Sequence, residues 1–409
     1  MTSAATPQTG STPAVQDPIV IVGGGFGGLY TALALSEQRD HPPLLLIEPQ
    51  QAFPFLPLLY ELLSGELRRW EVAPRYDTLL AGRGIAWLRD RVVQIDASGH
   101  QLQTAGGRSL RFSQLVLATG AQSQSFGIPG VIEHTLGFRS LADVDRLQQL
   151  VNQLRQEQRP LQRLAIVGAG PSGVELACKL ADLLQQSAVV ELIEQGTTLL
   201  PNGRAFNREQ AQLALQRRDV RLRCQCRVLA VGSDHLRLSS GGHEERLPVE
   251  GVIWTAGLAF NPPPITPAVE RDRQGRLRVD PHLRLIGHTD LFALGDLAAV
   301  GNPGVPAEAA PAATDPGAAL PINAQVAFQQ ASCLASNLLL ARRGEPLQTF
   351  RFQDLGEMLS LGRGDASLVA GGFTLAGPAA FQLRRLAYLA RLPGRSHQLR
   401  VAAGWLADW

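Results

Sequence analysis

The chain has 409 residues, 45% of them hydrophobic and 18% charged, with a formal net charge of +2. That is two to three domains at roughly 100–200 residues each, with ample apolar material for buried cores. A disordered, collagen-like or disulfide-stapled polypeptide is excluded, and the near-neutral charge gives no case for a nucleic-acid partner.

Residues 1–16 carry no basic residue and no apolar core, so 1–17 is expected to be a disordered tail rather than a secretory or organelle signal. The next segment is Pro18-Ile-Val-Ile-Val22, then Gly23-Gly-Gly25-Phe-Gly-Gly28. A helix-compatible stretch to Glu37 follows, and Leu44-Leu-Leu-Ile47 leads into Glu48. Leu115-Val-Leu-Ala-Thr-Gly120 reads as an apolar strand ending at a Thr-Gly turn. The same pattern then starts again 145 residues after the first. Arg163-Leu-Ala-Ile-Val167 precedes Gly168-Ala-Gly170-Pro-Ser-Gly173, a helical stretch runs to about Leu184, and Val189 to Ile193 leads into Glu194.

The acid falls 20 residues after the last glycine in the first unit and 21 in the second. The chemistry explains that spacing. The first glycine permits the tight turn, the second lets a pyrophosphate approach the backbone, and the third lets helix and strand pack closely. The helix N-terminus offers free N–H groups and partial positive charge to phosphates, and the acid accepts hydrogen bonds from a ribose. One Gly-x-Gly-x-x-Gly is a weak signal. Two, each with flanking strand, helix and acid, predict two dinucleotide sites; the bland alternative is one site plus a decayed copy.

Four cysteines, Cys178, Cys224, Cys226 and Cys333, form no Cys-x-x-Cys pair and no zinc spacing, so no metal site is expected. Cys224 and Cys226 read as alternate positions of one strand. Val252-Ile-Trp-Thr-Ala-Gly257 is the counterpart of the first Thr-Gly strand, and Leu291-Phe-Ala-Leu-Gly-Asp296 delivers an aspartate at a Gly-Asp turn. The Pro/Ala/Gly-rich stretch 301–321 is expected to be a loop without chemistry of its own. No apolar run reaches the ~18–20 residues of a membrane-spanning helix. Beyond Phe381 the chain interleaves Arg384, Arg385, Arg391, Arg395 and Arg400 with Leu383, Leu386, Tyr388, Leu389, Leu392, Trp405 and Trp409. That composition suits an amphipathic segment in a membrane interface, broken into two helices at Pro393-Gly394.

The order Gly-rich unit, Ala-Thr-Gly, Gly-rich unit, Thr-Ala-Gly, Gly-Asp resembles the two-dinucleotide-binding-domain flavoproteins. More narrowly, three segments resemble the type II NAD(P)H:quinone dehydrogenases: Phe55-Leu-Pro-Leu-Leu59 with Gly65, Val167 to Glu175, and Leu320-Pro-Ile-Asn-Ala-Gln325-Val-Ala-Phe-Gln329-Gln330. The resemblance spans about residues 18–405. Leu359 to Ser367, Thr374 to Pro378 and Arg385 to Pro393 resemble the cyanobacterial and plastid branch, in which the enzyme is implicated in reducing demethylphylloquinone.

The resemblance implies an α/β fold with two Rossmann-like domains. An FAD domain would occupy 18–149 and 286–345, an NAD(P)H domain 150–285, and a membrane-associating helical region 346–409. FAD would be held by Gly23, Gly25, Gly28, Glu48, Gly120, Asp296 and Ala324. NADH or NADPH would be held by Gly168, Gly170, Gly173, Glu194 and Gly257. The Glu194 carboxylate favours NADH by repelling a 2′-phosphate, with Arg204 as the group that could compensate. Glu175 reads either as an acid in the first turn of the second Gly-loop helix or, by resemblance, as a carboxylate at the flavin–nicotinamide junction. Gln325 and Gln329, four apart, read either as a solvated face or as amides lining a quinone slot; Phe328 stands where some relatives place a histidine.

The implied partners are a membrane quinone and the cytoplasmic side of a bacterial plasma or thylakoid membrane. The competing reading is a C-terminal helix packed on the enzyme itself or on the second subunit of a homodimer. The function implied is non-pumping NAD(P)H:quinone oxidoreduction. A general plastoquinone or menaquinone reductase, a ferredoxin- or rubredoxin-reductase-like enzyme and a flavin-containing redox-sensing module remain as alternatives.

Overall fold

A computed structural model describes residues 16–157, 159–300 and 320–407. Most of the expected tail and most of the 301–321 loop lie outside the described residues.

Each Gly-rich unit builds a parallel sheet. The first runs Leu291–Ala293, Gln114–Leu117, Ile19–Val22, Leu44–Ile47, Ile85–Leu88, with Val22 level with Leu117 and Ile47. Its central strand is Ile-Val-Ile-Val and wholly buried, as a sheet covered on both faces requires. The second runs Arg221–Arg223, Val189–Ile193, Arg163–Val167, Gly251–Trp254. Leu291–Ala293 comes from beyond the second sheet in sequence yet pairs with the first. The chain leaves the first sheet through Gln122–Ser123 and returns through Leu258–Ala259, and these two short strands pair antiparallel.

The two Gly-rich turns share one geometry. Gly23 has φ 101° and Gly168 φ 103°, the left-handed region that only glycine enters without strain. A Cβ on Gly28 would sit 1.8 Å from the Gly23 carbonyl oxygen, and a Cβ on Gly173 would sit 1.8 Å from that of Gly168. These two positions let the helices Phe26–Ser36 and Pro171–Leu184 seat directly on their strands. Gly25 and Gly170 differ: nothing lies within 4 Å of a Cβ built there.

A long helix, Ala324–Arg343, packs along the first Gly-loop helix. Asn323 caps its start, accepting from Val326 N–H at 2.9 Å, and Gly344 ends it at φ 66°. The C-terminal region is only half helical. Residues Glu357–Ser360, Ala366–Ala370 and Phe373–Ala376 form an antiparallel sheet, turned by left-handed glycines at Gly364 and Gly371-Gly372. Helices Pro378–Leu389 and Arg395–Ala407 follow, separated at Pro393-Gly394 as the sequence predicts.

Cys224 and Cys226 do not share a strand. The strand Arg221–Arg223 ends first, Gln225 takes φ 53°, and Cys226 opens the next strand, Cys226–Val231. The Gln225 and Cys226 N–H groups are held by the carbonyls of Gly196 and Glu194, which turns the chain out of the parallel sheet.

Gly173→Ala is expected to destabilise the fold by about 1–3 kcal/mol or more through overpacking. Gly25→Ala is expected to leave stability within about 0.5 kcal/mol, because its methyl enters open space. Urea unfolding of the cofactor-free variants tests both.

Candidate functional site

The first unit opens onto a cavity of about 1380 Å³, above the ~300–1,000 Å³ of an ordinary small-ligand pocket. Of the predicted residues it brings together Gly23, Gly25, Glu48, Gly120, Asp296 and Ala324. Gly28 is absent from its wall because it packs helix on strand. Glu48 is oriented by two backbone donors: Gly24 N–H to Oε2 at 2.7 Å and Gln50 N–H to Oε1 at 2.8 Å. The helix behind Gly25 has no acid in its first turn, so its free N–H groups face the cavity without a competing carboxylate. Open space at Gly25, a fixed carboxylate at the strand end and a cavity of this size fit a dinucleotide with its pyrophosphate at the helix end.

Asp296 sits in the turn after Leu291–Ala293. Burial raises its carboxyl pKa, and Arg139 and Arg276 oppose the shift. The turn is held from behind by Gln330, whose Oε1 accepts the Gly295 N–H at 2.7 Å.

The second unit repeats the arrangement. Ala169 N–H donates to Glu194 Oε2 at 2.8 Å and Gly196 N–H to Oε1 at 2.7 Å. Gly168, Gly170, Gly173 and Glu194 therefore form a second cradle of the same design, outside the wall of the first cavity. Gly257, at φ 72°, is the position against which the Phe126 ring packs; a Cβ there would lie 2.2 Å from that ring. Arg204 is tied to Asp354 at 2.7 Å, and its N–H donates to Glu357 at 2.9 Å.

Gln325 and Gln329 are on the long helix, as read, but their amides are engaged by backbone. Gln325 donates to Gly356 O at 3.3 Å and accepts from Leu355 N–H at 3.0 Å. Gln329 donates to Gln353 O at 2.8 Å and accepts from the N–H of that residue at 3.0 Å. Asn337, two turns on, grips Gln348 in the same way. A row of amides at four-residue multiples thus zips an extended strap to the helix. Ala324 and Ala327, on a different face, line the cavity.

Glu175 lies one full turn inside its helix, not in the first turn, which contains no acid. Its Oε1 accepts the Ser360 N–H at 2.8 Å, and the Tyr60 hydroxyl also bonds to it. Burial pushes its carboxyl up to about 7 against the opposing pull of Arg384 and that N–H.

Arg384, read from sequence as part of a basic surface face, is 1% exposed. Its guanidinium reaches inward to Glu61 at 2.6 Å and stacks over the Tyr388 ring at 4.8 Å. Trp405 is buried under Arg385, 4.2 Å from ring centre to guanidinium carbon. The apolar surface of the last two helices is instead Leu383, Leu386, Leu399 and Leu406, all exposed, beside exposed Arg395 and Arg400. Trp409 lies outside the described residues.

Two further residues, Tyr76 and Arg139, carry no local signal in the sequence, and a third, Glu61, carries one. Tyr76 braces the first loop, its hydroxyl donating to Gly24 O at 2.7 Å. Arg139 brings a guanidinium to the cavity beside Asp296. Glu61 is wholly buried. An apolar neighbourhood in the sequence around Tyr60-Glu61 was the one available hint, since an acid inside a leucine run needs a partner.

A family model described as pyridine nucleotide-disulphide oxidoreductase matches residues 17–331. The demethylphylloquinone reductase NdbB of Synechocystis sp. is 39% identical over 403 residues, covering 96% of this chain and 97% of that protein. The alternative NAD(P)H-ubiquinone oxidoreductase C1 of Arabidopsis thaliana is 35% identical, covering 98% and 83%. The structure of NDH2 from Plasmodium falciparum in complex with NADH superposes with a TM-score of 0.79 over 94% of this chain and 97% of that one, at 18% identity.

Because burial raises the Glu175 carboxyl from 4.5 to about 7, the native state holds a proton that the unfolded chain has released across that window. Stability conferred through Glu175 therefore falls as pH rises from about 4.5 to beyond 7. Relative to Glu175→Gln, the wild type is expected to lose on the order of 3 kcal/mol over that range. Denaturant titrations of both proteins at several pH values check it.

Proposed function

The chain belongs to the pyridine nucleotide-disulphide oxidoreductase family, and from that premise we propose that it is an FAD-dependent NAD(P)H:quinone oxidoreductase that reduces demethylphylloquinone. The observation that carries the reading is the duplicated cradle: two Gly-rich turns of one geometry, each with its strand-end glutamate fixed by two N–H donors. Likeness to the Synechocystis reductase over nearly both full lengths supports the choice of quinone.

FAD, when bound, supplies the two-electron chemistry that joins a nicotinamide hydride to a quinone, which no side chain here can do. The chain's own residues bind, orient and handle protons. Gly23, Gly25 and the first-helix N–H groups would take the FAD pyrophosphate, with Arg139 as a positive charge on the cavity wall near Asp296. Glu48 and Asp296 accept from sugar hydroxyls. Gly170 and the second-helix N–H groups take the nicotinamide nucleotide, Glu194 receives its ribose, and its charge favours NADH. Glu175 holds a proton at its carboxyl near neutral pH. Gln325 and Gln329 fix the strap beside the helix that presents Ala324 and Ala327 to the cavity that would hold FAD.

No cysteine relay intervenes. The chain has no cysteine before Cys178, which is sealed in the second-unit helix, where burial pushes its thiol up to about 12, and Cys333 of the long helix donates to Gln348 O at 3.8 Å and is not on the cavity wall. The division into FAD segments 18–149 and 286–345, an NAD(P)H segment 150–285 and a C-terminal module is part of the proposal. So is docking on the cytoplasmic face of a membrane. Among the described residues no helix is long and apolar enough to cross one. The exposed leucines of the last two helices, Leu399 and Leu406 seven apart on one face, provide the interfacial contact with Arg395 and Arg400 at its edge.

Anaerobic stopped-flow on FAD-loaded protein tests this reading. After reduction by NADH, demethylphylloquinone is expected to restore the oxidised flavin absorbance at least tenfold faster than plastoquinone or menaquinone analogues. Equal rates with all three would replace the specific quinone by a general one. Failure with every quinone would overturn the reading.

A further inference from the structure

Behind Glu175 lies a sealed group of charges that the proposed reaction does not by itself require. Arg384 is 1% exposed, and Glu61 and Lys179, the chain's single lysine, are fully buried. Arg384 stands between two carboxylates. Its Nη1 donates to Glu61 Oε1 at 2.6 Å, while its Nη2 lies 3.7 Å from Glu175 Oε1 and donates instead to Pro57 O at 2.6 Å. Glu61 Oε1 is also 3.8 Å from Lys179 Nζ, which pairs with Glu66 and lies 5.7 Å from the Phe381 ring centre.

Three carboxylates, Glu61, Glu66 and Glu175, thus face two cations, Lys179 and Arg384. Fully ionised, the group carries one uncompensated negative charge, with Glu66 17% exposed at its edge and the others buried, and one proton cancels it. The geometry decides where that proton goes. Glu61 touches one cation at hydrogen-bond distance and has a second close by. Glu66 holds Lys179 directly and accepts the Gly364 N–H at 3.3 Å. Glu175 has two uncharged donors, the Ser360 N–H and the Tyr60 hydroxyl, and only a distant share of Arg384.

We propose that Glu61 and Arg384 are positioning residues that set the protonation of Glu175: Glu61 holds the guanidinium off Glu175, so Glu175 is the carboxylate of the group that keeps its proton. The inference rests on the reading of Glu175 as the proton-holding acid of the reaction. Titratable and charged groups face Glu175 from three helices. Tyr60 and Glu61 come from helix Leu59–Leu63. Cys178 and Lys179 come from its own helix, and Arg384 and Tyr388 from helix Pro378–Leu389. Ser360 contributes a backbone N–H from strand Glu357–Ser360. Of these, Arg384 is the cation placed between Glu175 and a second acid, whereas Lys179 lies between Glu61 and Glu66.

Two variants should move Glu175 in opposite directions. Glu61→Gln removes a like charge and releases Arg384 toward Glu175, so ionisation becomes easier. Arg384→Met removes the opposing cation, so ionisation becomes harder; Arg384→Lys keeps the charge and should sit near wild type. The readout is the infrared carboxylic-acid band of FAD-loaded protein, assigned by its loss in Glu175→Gln and followed against pH. The midpoint is expected to shift at least one pH unit acid in Glu61→Gln and at least one unit basic in Arg384→Met, a tenfold change in proton affinity each way. Should Arg384→Met fail to fold, Glu61→Asp is the second test, with a smaller acid shift expected as its shorter arm loosens the guanidinium. Shifts of the same sign in both variants, or a midpoint unmoved in folded Glu61→Gln, would overturn the inference. If the band moves as expected while the pH profile of quinone reduction does not follow, the positioning stands and the reading of Glu175 as the reaction's acid falls.

Discussion

The seat of each loop helix on its strand, where a methyl at Gly28 or Gly173 would meet a carbonyl oxygen at 1.8 Å, is the contact from which the molecule is built. Only that approach aims the helix N-terminus across the end of the sheet. Only then does the following strand end where its glutamate can take an N–H from the glycine loop itself. The carboxylate is therefore part of the turn before any ligand arrives. Because both units satisfy the same constraint, they present the same groups: free amides at a helix end, a carboxylate fixed by two N–H donors, and open space where the second glycine lies.

What distinguishes the two units is the material between and behind them. The strap zipped to the long helix by Gln325, Gln329 and Asn337 continues into strand Glu357–Ser360, whose last residue donates to Glu175 of the second unit. Asp354 and Glu357 of the same stretch hold Arg204. One short segment thus touches the helix beside the first cavity and two helices of the second unit. The ion group of Glu61, Lys179 and Arg384 adds a second tie, drawing one residue from each of three parts of the chain. Buried pairs of this kind contribute little net stability against an apolar replacement, yet removing one partner is costly, so they specify an arrangement more than they strengthen it. The C-terminal module sets Ser360 and Arg384 against Glu175 as well as bearing the exposed leucines.

The sequence made legible whatever is written locally. Strands Ile19–Val22 and Arg163–Val167, both glycine turns, both glutamates and the Gly-Asp turn follow from spacing, because a βαβ unit is a local object. The break at Pro393-Gly394 is equally local. The missed features depend on residues far apart in the chain. Arg384 looks like one more basic residue of an amphipathic helix until Glu61, 323 positions earlier, is beside it. Gln325 and Gln329 share a face as their spacing requires, but spacing does not say that backbone from 353–356 would occupy it. Cys224 and Cys226 look like strand neighbours in the sequence because alternation is blind to a left-handed residue between them.

The central claim is one chain with two dinucleotide cradles of separate use, and counting bound nucleotides tests it most directly. Equilibrium titration of purified protein with FAD, then of the FAD-loaded protein with NAD⁺, is predicted to give one tightly held FAD and one further nicotinamide nucleotide per chain. Binding of two FAD molecules per chain, or saturation by FAD that leaves no site for the nicotinamide nucleotide, would contradict it.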